Sequence, residues 1–182
     1  MPLLNTIATP YAEALLQISE AEGSSDRIAA DAKGILELWN GSADLRGALQ
    51  SPVLAPASKK ATLRKLFEGR VSGNTLKLLQ LLADRQRCNL LDVVMERFLE
   101  LYRESQDIAL AQITSATPLS REQQVNLNRK IQAIAGSKSV ECSISVDPSL
   151  IGGLIIRIGS KVFDASLSGQ ARRLAVSLAK AI

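Results

Sequence analysis

Along the first hundred residues, apolar side chains recur every three to four positions, with charged side chains between them. This spacing is typical of helices with one buried face, and Gly, Ser or Pro separates each segment from the next. The predicted helices cover about residues 9–22, 25–40, 42–50, 57–70, 72–84 and 89–104. We therefore predict an N-terminal six-helix bundle. Thr9 is the expected N-cap of the first helix, with Pro10 at its first position.

The fifth predicted helix is apolar around most of its circumference. Its apolar residues are Leu76, Leu78, Leu79, Leu81, Leu82 and Ala83. A helix of this kind is either buried on all sides or offers one face to a partner. The pattern alone leaves both possibilities open.

After residue 105 the pattern changes to the alternation of strands. Residues 107–114 and 140–146 are predicted strands, and the second alternates strictly between apolar and polar positions. Between them, Ser120 and Gln123 have the spacing of a capping box, which opens a helix that Gly136 ends. The pattern of this half therefore indicates a mixture of strands and helices.

A glycine pair, Gly152-Gly153, is followed by a short apolar strand, a turn at Gly159-Ser160 and a return strand. Gly-Ser favours a type II′ hairpin, because Gly readily adopts the positive φ of the first turn position. A last helix is predicted from Ser166. The fold class is thus α+β, with a helical bundle at 1–105 and a small α+β domain with a short mixed sheet at 106–182.

Composition and charge indicate a globular protein whose two halves differ. Of 182 residues, 46% are hydrophobic and 3% aromatic, so an aliphatic core is expected. Residues 1–104 carry 13 basic and 13 acidic side chains, whereas residues 105–182 carry 9 and 5. Different partners are therefore expected for the two halves. No transmembrane segment, secretory signal or transit peptide is predicted.

One residue type that carries much of enzyme chemistry is missing from this sequence. There is no His, the commonest general base and metal ligand. Asp147 and Asp164 flank the hairpin as a possible carboxylate pair, but turn and cap roles are expected for them. Cys88 and Cys142 are expected to be free thiols, with a disulfide as the alternative. We predict no catalytic residue, no cofactor and no metal site.

Basic residues leave nucleic-acid binding as an alternative function. The predicted fourth helix carries Lys59, Lys60, Arg64, Lys65 and Arg70 on one side. These side chains, like the Arg172-Arg173 pair, have the charge to contact phosphates. Few aromatic residues lie among them to stack on bases, so a solvated face or a protein partner is the favoured interpretation.

The C-terminal stretch also carries a long ordered motif. It reads D-x-S-[apolar]-[apolar]-x-G-[apolar]-x-[apolar]-R-x-G, followed by V-x-D-x-S. This motif resembles the C-terminal signature of the delta subunit family of F-type ATP synthases, relatives of the mitochondrial oligomycin sensitivity-conferring protein. Its signature positions here are Asp147, Gly152, Gly153, Arg157, Gly159 and Asp164.

The resemblance extends along the whole chain. Residues 9–15, TPYAEAL, are similar to the family's opening R-P-Y-A-x-A-L, with Thr9 in place of the usual basic residue. Ser51-Pro52-Val53 followed by Lys59-Lys60 resembles the segment after the third helix. Residues 74–87 resemble the fifth helix and its closing arginine. A six-helix bundle followed by a small α+β domain is that family's architecture.

The resemblance implies a non-catalytic stator subunit. The N-terminal bundle would bind the N-terminal helix of an α subunit between its first and fifth helices, and the C-terminal domain would hold b-type subunits of the peripheral stalk. The positions carried over to this groove are Tyr11, Ala14, Leu15, Ile18, Asn74, Leu76, Leu79 and Ala83. From the net positive charge of the second half, Arg172, Arg173 and Lys180 are expected to contact an acidic or amphipathic helix of the stalk.

The same resemblance implies the setting of the protein. One copy per complex would link the α3β3 catalytic head to the stalk, so that rotation is coupled to proton-driven ATP synthesis. Nucleic acid is not an expected partner. The subunit would be peripheral to the membrane only through the complex, on the cytoplasmic face of a bacterial plasma membrane, or at the thylakoid membrane in a cyanobacterium.

Overall fold

The computed structural model describes residues 2–179, with the side chains of residues 4–173. The fold is α+β, with a helical N-terminal part and a four-stranded mixed sheet after it. Two compact units divide the chain, Met1–Tyr102 and Arg103–Ile182.

The first unit is built from helices around one aliphatic core. Its helices are α1 Pro2–Ala21, α2 Ser25–Gly41, α3 Ala43–Gln50, α4 Pro56–Phe67, α5 Gly73–Asp84 and α6 Leu91–Ser105, which runs on into the second unit. A 3₁₀ turn at Cys88–Leu90 precedes α6. Phe98, Ile28 and Leu79 are among the largest fully buried side chains of the core.

The predicted start of α1 is wrong. The helix begins at Pro2, so Pro10 lies inside it rather than at its first position. The Thr9 hydroxyl donates to a main-chain oxygen one turn earlier at 2.7 Å instead of capping the helix. An interior proline removes one helical hydrogen bond. Ala8 and Ala12, on either side of it, are fully buried, and we attribute the continuity of the helix to their packing.

A polar network fixes the start of α5. The Ser72 hydroxyl accepts a hydrogen bond from the Thr75 N–H at 3.3 Å and caps the helix. The Asp31 carboxylate accepts from the Ser72 N–H at 2.6 Å and from the Thr75 hydroxyl at 3.1 Å. Thr75 is fully buried, so its hydroxyl needs such partners. Because Asp31 belongs to α2, the network holds α5 in one rotation against the core.

This rotation buries one side of α5 and exposes another. The buried residues are Thr75, Leu78, Leu79, Leu82 and Ala83. Leu81, although equally apolar, is 41% exposed. Of the two possibilities that the sequence left open, burial on all sides is therefore wrong, and α5 keeps an exposed apolar face.

The second unit is a mixed sheet with helices. Its elements are β1 Ile108–Ser115, α7 Arg121–Ala135, β2 Ser139–Val146, β3 Leu154–Ile158, β4 Lys161–Asp164 and α8 Leu167–Ala179. The strand order is β2-β1-β3-β4, with β1 and β2 parallel and the other pairs antiparallel. Ile131 of α7 packs in a small core with Ala111, Ile113 and Ile156 of the sheet.

The helix-capping and turn signals predicted for this unit are confirmed. Both hydrogen bonds of the capping box between Ser120 and Gln123 are present, and Gly136 ends α7 with a φ of 67°. Gly159 takes a φ of 55° in the turn between β3 and β4. These features depend on residues close in sequence, which is why the pattern predicts them.

The glycine pair lies against the chain that leads into α8. A Cβ on Gly153, whose φ is 83°, would lie 2.3 Å from the main-chain oxygen of Ala165. A Cβ on Gly152 would lie 2.7 Å from the Leu167 side chain. The close approach of two segments therefore requires glycine at Gly153 and favours it at Gly152.

Asp164 and Asp147 organise turns, as predicted. One oxygen of the Asp164 carboxylate accepts from the N–H of Ser166 at 2.9 Å and from its hydroxyl at 2.6 Å. These hydrogen bonds lower the pKa of Asp164 below its ordinary value. The Ser166 hydroxyl in turn accepts from the Gly169 N–H at 3.0 Å, near the start of α8. Asp147 accepts from the Ser149 N–H at 2.9 Å.

Replacement of Leu79 and of Leu81 by alanine should have very different costs. Leu79→Ala should lower the free energy of unfolding by about 2–5 kcal/mol, because it opens a cavity in the core. Leu81→Ala should cost less than about 1 kcal/mol, because the side chain is already partly in water. Urea unfolding followed by fluorescence of Trp39, the only tryptophan, measures both. Equal costs would contradict the rotation of α5.

A Cβ at Gly153 should destabilise the second unit. We expect Gly153→Ala to lower its free energy of unfolding by about 2–4 kcal/mol, through the positive φ and the clash with Ala165. Gly34→Ala in α2 is the control, since a Cβ there meets nothing within 4 Å. It should be neutral or stabilising by up to about 1 kcal/mol. Amide hydrogen exchange in β1, β3 and α2 measures the free energy of unfolding in both variants. An unchanged free energy in Gly153→Ala would contradict the close approach of the Gly153 and Ala165 segments.

Candidate functional site

An open groove of about 390 Å³ runs between α1 and α5 on the first unit. Its lining residues are Pro10, Tyr11, Ala14, Leu15, Ile18, Asn74, Lys77, Leu78 and Leu81. Polar groups enter the lining only at Tyr11, Asn74 and Lys77. The groove is therefore an apolar surface with a polar margin.

Helical spacing explains this lining. On α1, Tyr11, Leu15 and Ile18 follow one another by four and three residues, which places them on one side of the helix. On α5, Leu78 and Leu81 follow Asn74 by four and seven residues. Ile18 of α1 is 45% exposed and Leu81 of α5 is 41% exposed, so both helices have aliphatic surface in contact with water. Such a contiguous patch is typical of a binding surface.

At each end of the groove, a polar contact joins one helix to a residue just beyond the end of the other, Arg87 after α5 and Glu22 after α1. At one end the Arg87 guanidinium donates to the Tyr11 hydroxyl at 2.8 Å and lies 5.9 Å from the centre of the tyrosine ring. At the other end the Asn74 amide donates to the Glu22 carboxylate at 2.7 Å. The pairing shows that α1 and α5 run antiparallel. From Tyr11 to Ala21, the last residue of α1, the helix rises about 15 Å, or nearly three turns, and Glu22 directly follows it.

Five of the eight predicted groove residues line the groove together. They are Tyr11, Ala14, Leu15, Ile18 and Asn74. Leu79 and Ala83 do not, because both have 0% exposure and belong to the core. Leu76 is partly buried against that core and also lies outside the lining. The rotation of α5 set by Asp31 turns these three positions away from the groove.

Sequence reasoning missed four lining residues, Pro10, Lys77, Leu78 and Leu81. A signal for three of them was present. Lys77, Leu78 and Leu81 follow Asn74 by three, four and seven residues, which is one face of a helix. Extending this spacing from Asn74, which the resemblance supplied, identifies the α5 side of the groove.

The residues expected at the stalk have different surroundings. Arg173 donates from its guanidinium to the main-chain oxygen of Asp164 at 2.8 Å, so it supports the turn before α8. Arg172 is exposed. Lys180 lies outside the described residues. Arg157, a signature position, is exposed on β3 opposite Gln112 of β1.

Much of the basic side of α4 is buried or paired. Lys59 is only 7% exposed. The Lys60 ammonium lies 2.7 Å from the Asp84 carboxylate, and the Arg64 guanidinium lies 2.9 Å from that of Glu68. Phosphate binding relies on unpaired cations, so these contacts weaken the nucleic-acid alternative.

Both cysteines are free thiols, as expected. Burial raises the pKa of Cys88 and that of Cys142, which makes the thiolate scarcer at neutral pH. Within the described part of the chain, no group of Cys, Asp and Glu side chains is arranged to hold a metal ion. No helix of that part has the length and apolar character needed to cross a bilayer.

Comparison with known proteins connects this structure to one family. The family described as ATP synthase delta (OSCP) subunit matches residues 7–178. ATP synthase subunit delta of Prochlorococcus marinus (strain MIT 9211) is 54% identical over 180 residues, which cover 99% of both chains. ATP synthase subunit delta of Synechococcus sp. (strain RCC307) is 55% identical over 181 residues, which cover 100% of both.

A solved structure shows a similar fold. A chain of the cryo-EM structure of the Toxoplasma gondii mitochondrial ATP synthase hexamer aligns with a TM-score of 0.76 and 20% identity. The alignment covers 94% of this chain and 96% of that one. The resemblance drawn from the sequence is therefore confirmed. This chain belongs to the ATP synthase delta (OSCP) subunit family, whose members are non-catalytic, stator-type subunits of a membrane-associated complex.

Proposed function

We propose that this chain links the α3β3 catalytic head of an F-type ATP synthase to the b-type subunits of its peripheral stalk. Residues 1–105, as a six-helix bundle, bind the head, and residues 106–182 bind the stalk. One copy per complex holds the head still while the central shaft turns, so that rotation is coupled to proton-driven ATP synthesis. The observation that supports this proposal best is the apolar groove between α1 and α5.

The groove has the properties of a site for one amphipathic helix. Helices recognised in this way present apolar anchors at i, i+3, i+4 and i+7 to a hydrophobic groove. The links at Tyr11–Arg87 and Asn74–Glu22 are separated by the length of about three helical turns. The small side chain of Ala14 allows the guest helix to approach closely. We assign this place to the N-terminal helix of an α subunit.

Apolar burial suits a contact that has to resist torque. Ile18 and Leu81 are each a little under half exposed, and covering them would stabilise the complex by about 1 kcal/mol per side chain. Salt screens exposed charges, whereas apolar burial depends little on it. A groove of this kind therefore favours slow dissociation under cellular conditions.

For the second unit we propose an acidic or amphipathic stalk helix as the partner. Its excess of basic side chains supports this choice. Since the relatives above are cyanobacterial, we place the complex at the thylakoid or plasma membrane, with this subunit on the cytoplasmic side. The subunit reaches the membrane only through the complex.

Calorimetric titration of the full chain with a synthetic peptide of the α-subunit N-terminus tests the head contact. We expect binding with a negative heat-capacity change that varies little between low and high salt. Leu81→Asp should weaken binding about tenfold or more, because it places a charge in the apolar groove. Leu38→Asp is the control, since Leu38 is 47% exposed on α2 outside the lining. Absence of binding to the folded chain would contradict the proposal.

Charge reversal tests the stalk contact. Arg172→Glu should weaken binding of soluble stalk b-type subunits several-fold at low salt, where exposed charges are least screened. Arg173 is left unchanged because it supports the turn before α8. Arg27→Glu in α2 of the first unit is the control on another surface, because Arg27 is exposed like Arg172. Unchanged affinity in Arg172→Glu would contradict a role for this residue.

A further inference from the structure

The face of α1 that lines the groove continues toward the start of the helix. Ile7 precedes Tyr11 by four residues and Ile18 by eleven, which is close to three complete turns. Ile7 therefore lies on the same side of α1 as these two lining residues. It is 38% exposed, and Ile18 is 45% exposed.

The burial of the next residues along α1 supports this placement. Ala8 and Ser19, which directly follow the two isoleucines, both have 0% exposure and face the core. Successive residues of a helix lie about 100° apart, so Ile7 and Ile18 are turned from the core by the same angle. Because the two pairs lie on either side of Pro10, the interior proline does not change which side of α1 is exposed.

The α5 side of the groove stops short of Ile7. α5 ends at Asp84, and the chain turns at Gln86, which has a φ of 55°. The Arg87 guanidinium reaches the Tyr11 hydroxyl at 2.8 Å. Ile7 lies about 6 Å, or one turn, beyond Tyr11 along α1. It is thus an exposed apolar side chain that continues the groove on the α1 side alone.

We propose that Ile7 extends the groove by one turn and contacts the same guest helix that the groove holds. This inference rests on the proposed function of the groove. From Ile7 to Ala21, α1 rises about 21 Å, so the guest is an amphipathic helix of about four turns rather than three. It carries a further aliphatic side chain about eleven positions from the one that contacts Ile18.

Continuity with the groove identifies this occupant. A straight guest helix that lies along α1 over Ile18 and Tyr11 meets Ile7 after one more turn. Eleven residues are close to a whole number of helical turns, so one apolar stripe of the guest serves both ends. Residues 2–10 of α1 carry no charged side chain, which suits an aliphatic contact. Covering Ile7 should strengthen binding about fivefold.

Variants of the full chain test the proposal by calorimetric titration with the α-subunit N-terminal peptide. Ile7→Asp should weaken binding about fivefold or more, because it removes the apolar contact and adds a charge. Asn5→Asp is the matched control, since Asn5 is exposed on the same helix about 160° around from Ile7. It gains the same charge and should bind as the unaltered chain does.

A second variant separates the lost contact from a loss of helix. Ile7→Ala adds no charge and introduces the best helix former, so α1 should keep its structure. It should still weaken binding about two- to threefold, because the aliphatic surface is removed. Thermal unfolding and circular dichroism check the fold of each variant.

Shortening the peptide tests the length of the contact. Peptides are shortened by four residues at a time from either end and titrated into the unaltered chain and into Ile7→Asp. The truncation that removes the residues beside Ile7 should weaken binding to the unaltered chain about fivefold more than binding to Ile7→Asp. Every other truncation should affect the two chains equally.

The remaining outcomes separate this inference from the proposed function. If Ile7→Asp and Ile7→Ala bind as tightly as Asn5→Asp, or if no truncation distinguishes the chains, the role of Ile7 is overturned. The groove then remains as a helix site, provided that Leu81→Asp weakens binding. Failure of the full-length peptide to bind the unaltered, folded chain would overturn the helix site and this inference with it.

Discussion

The rotation of α5 about its own axis decides which apolar side chains the first unit exposes. Asp31 of α2 fixes it, because one carboxylate accepts hydrogen bonds from both the Ser72 N–H and the buried Thr75 hydroxyl. The Ser72 and Thr75 hydroxyls also lie 2.7 Å apart, so the Asp31 carboxylate and the helix cap form one connected network. In this rotation Leu79 and Ala83 complete the core, and Leu81 is left at the surface.

The groove follows from that rotation and from the antiparallel course of α1. Polar links at Tyr11–Arg87 and Asn74–Glu22 join each helix to the residues just after the other, at points about three helical turns apart. Between the links, each helix has more apolar surface than the core covers. A third helix laid in the groove would cover this exposed apolar surface. A stator that resists torque benefits from a contact based on aliphatic burial. The core and the proposed binding surface thus use two sides of the same helix.

Sequence reasoning succeeded where the determining residues lie close together in the chain. The Ser120 capping box, the Gly136 helix end and the Gly159-Ser160 turn are local features, and all three are present. It failed on the faces of α5, because leucines surround that helix and its rotation depends on Asp31, which is 44 residues from Thr75. The requirement for glycine at 153 also comes from a distant segment, since the clash would be with Ala165.

Backbone amide shift mapping with the α-subunit N-terminal peptide tests the central claim most directly. The account predicts that shifts concentrate on the lining residues of α1 and α5, around Ile18 and Leu81. Buried positions on the far side of α5 and the sheet of the second unit should change little. Shifts concentrated on β2, α7 or α8, or none at saturating peptide, would contradict the assignment of this groove to the catalytic head.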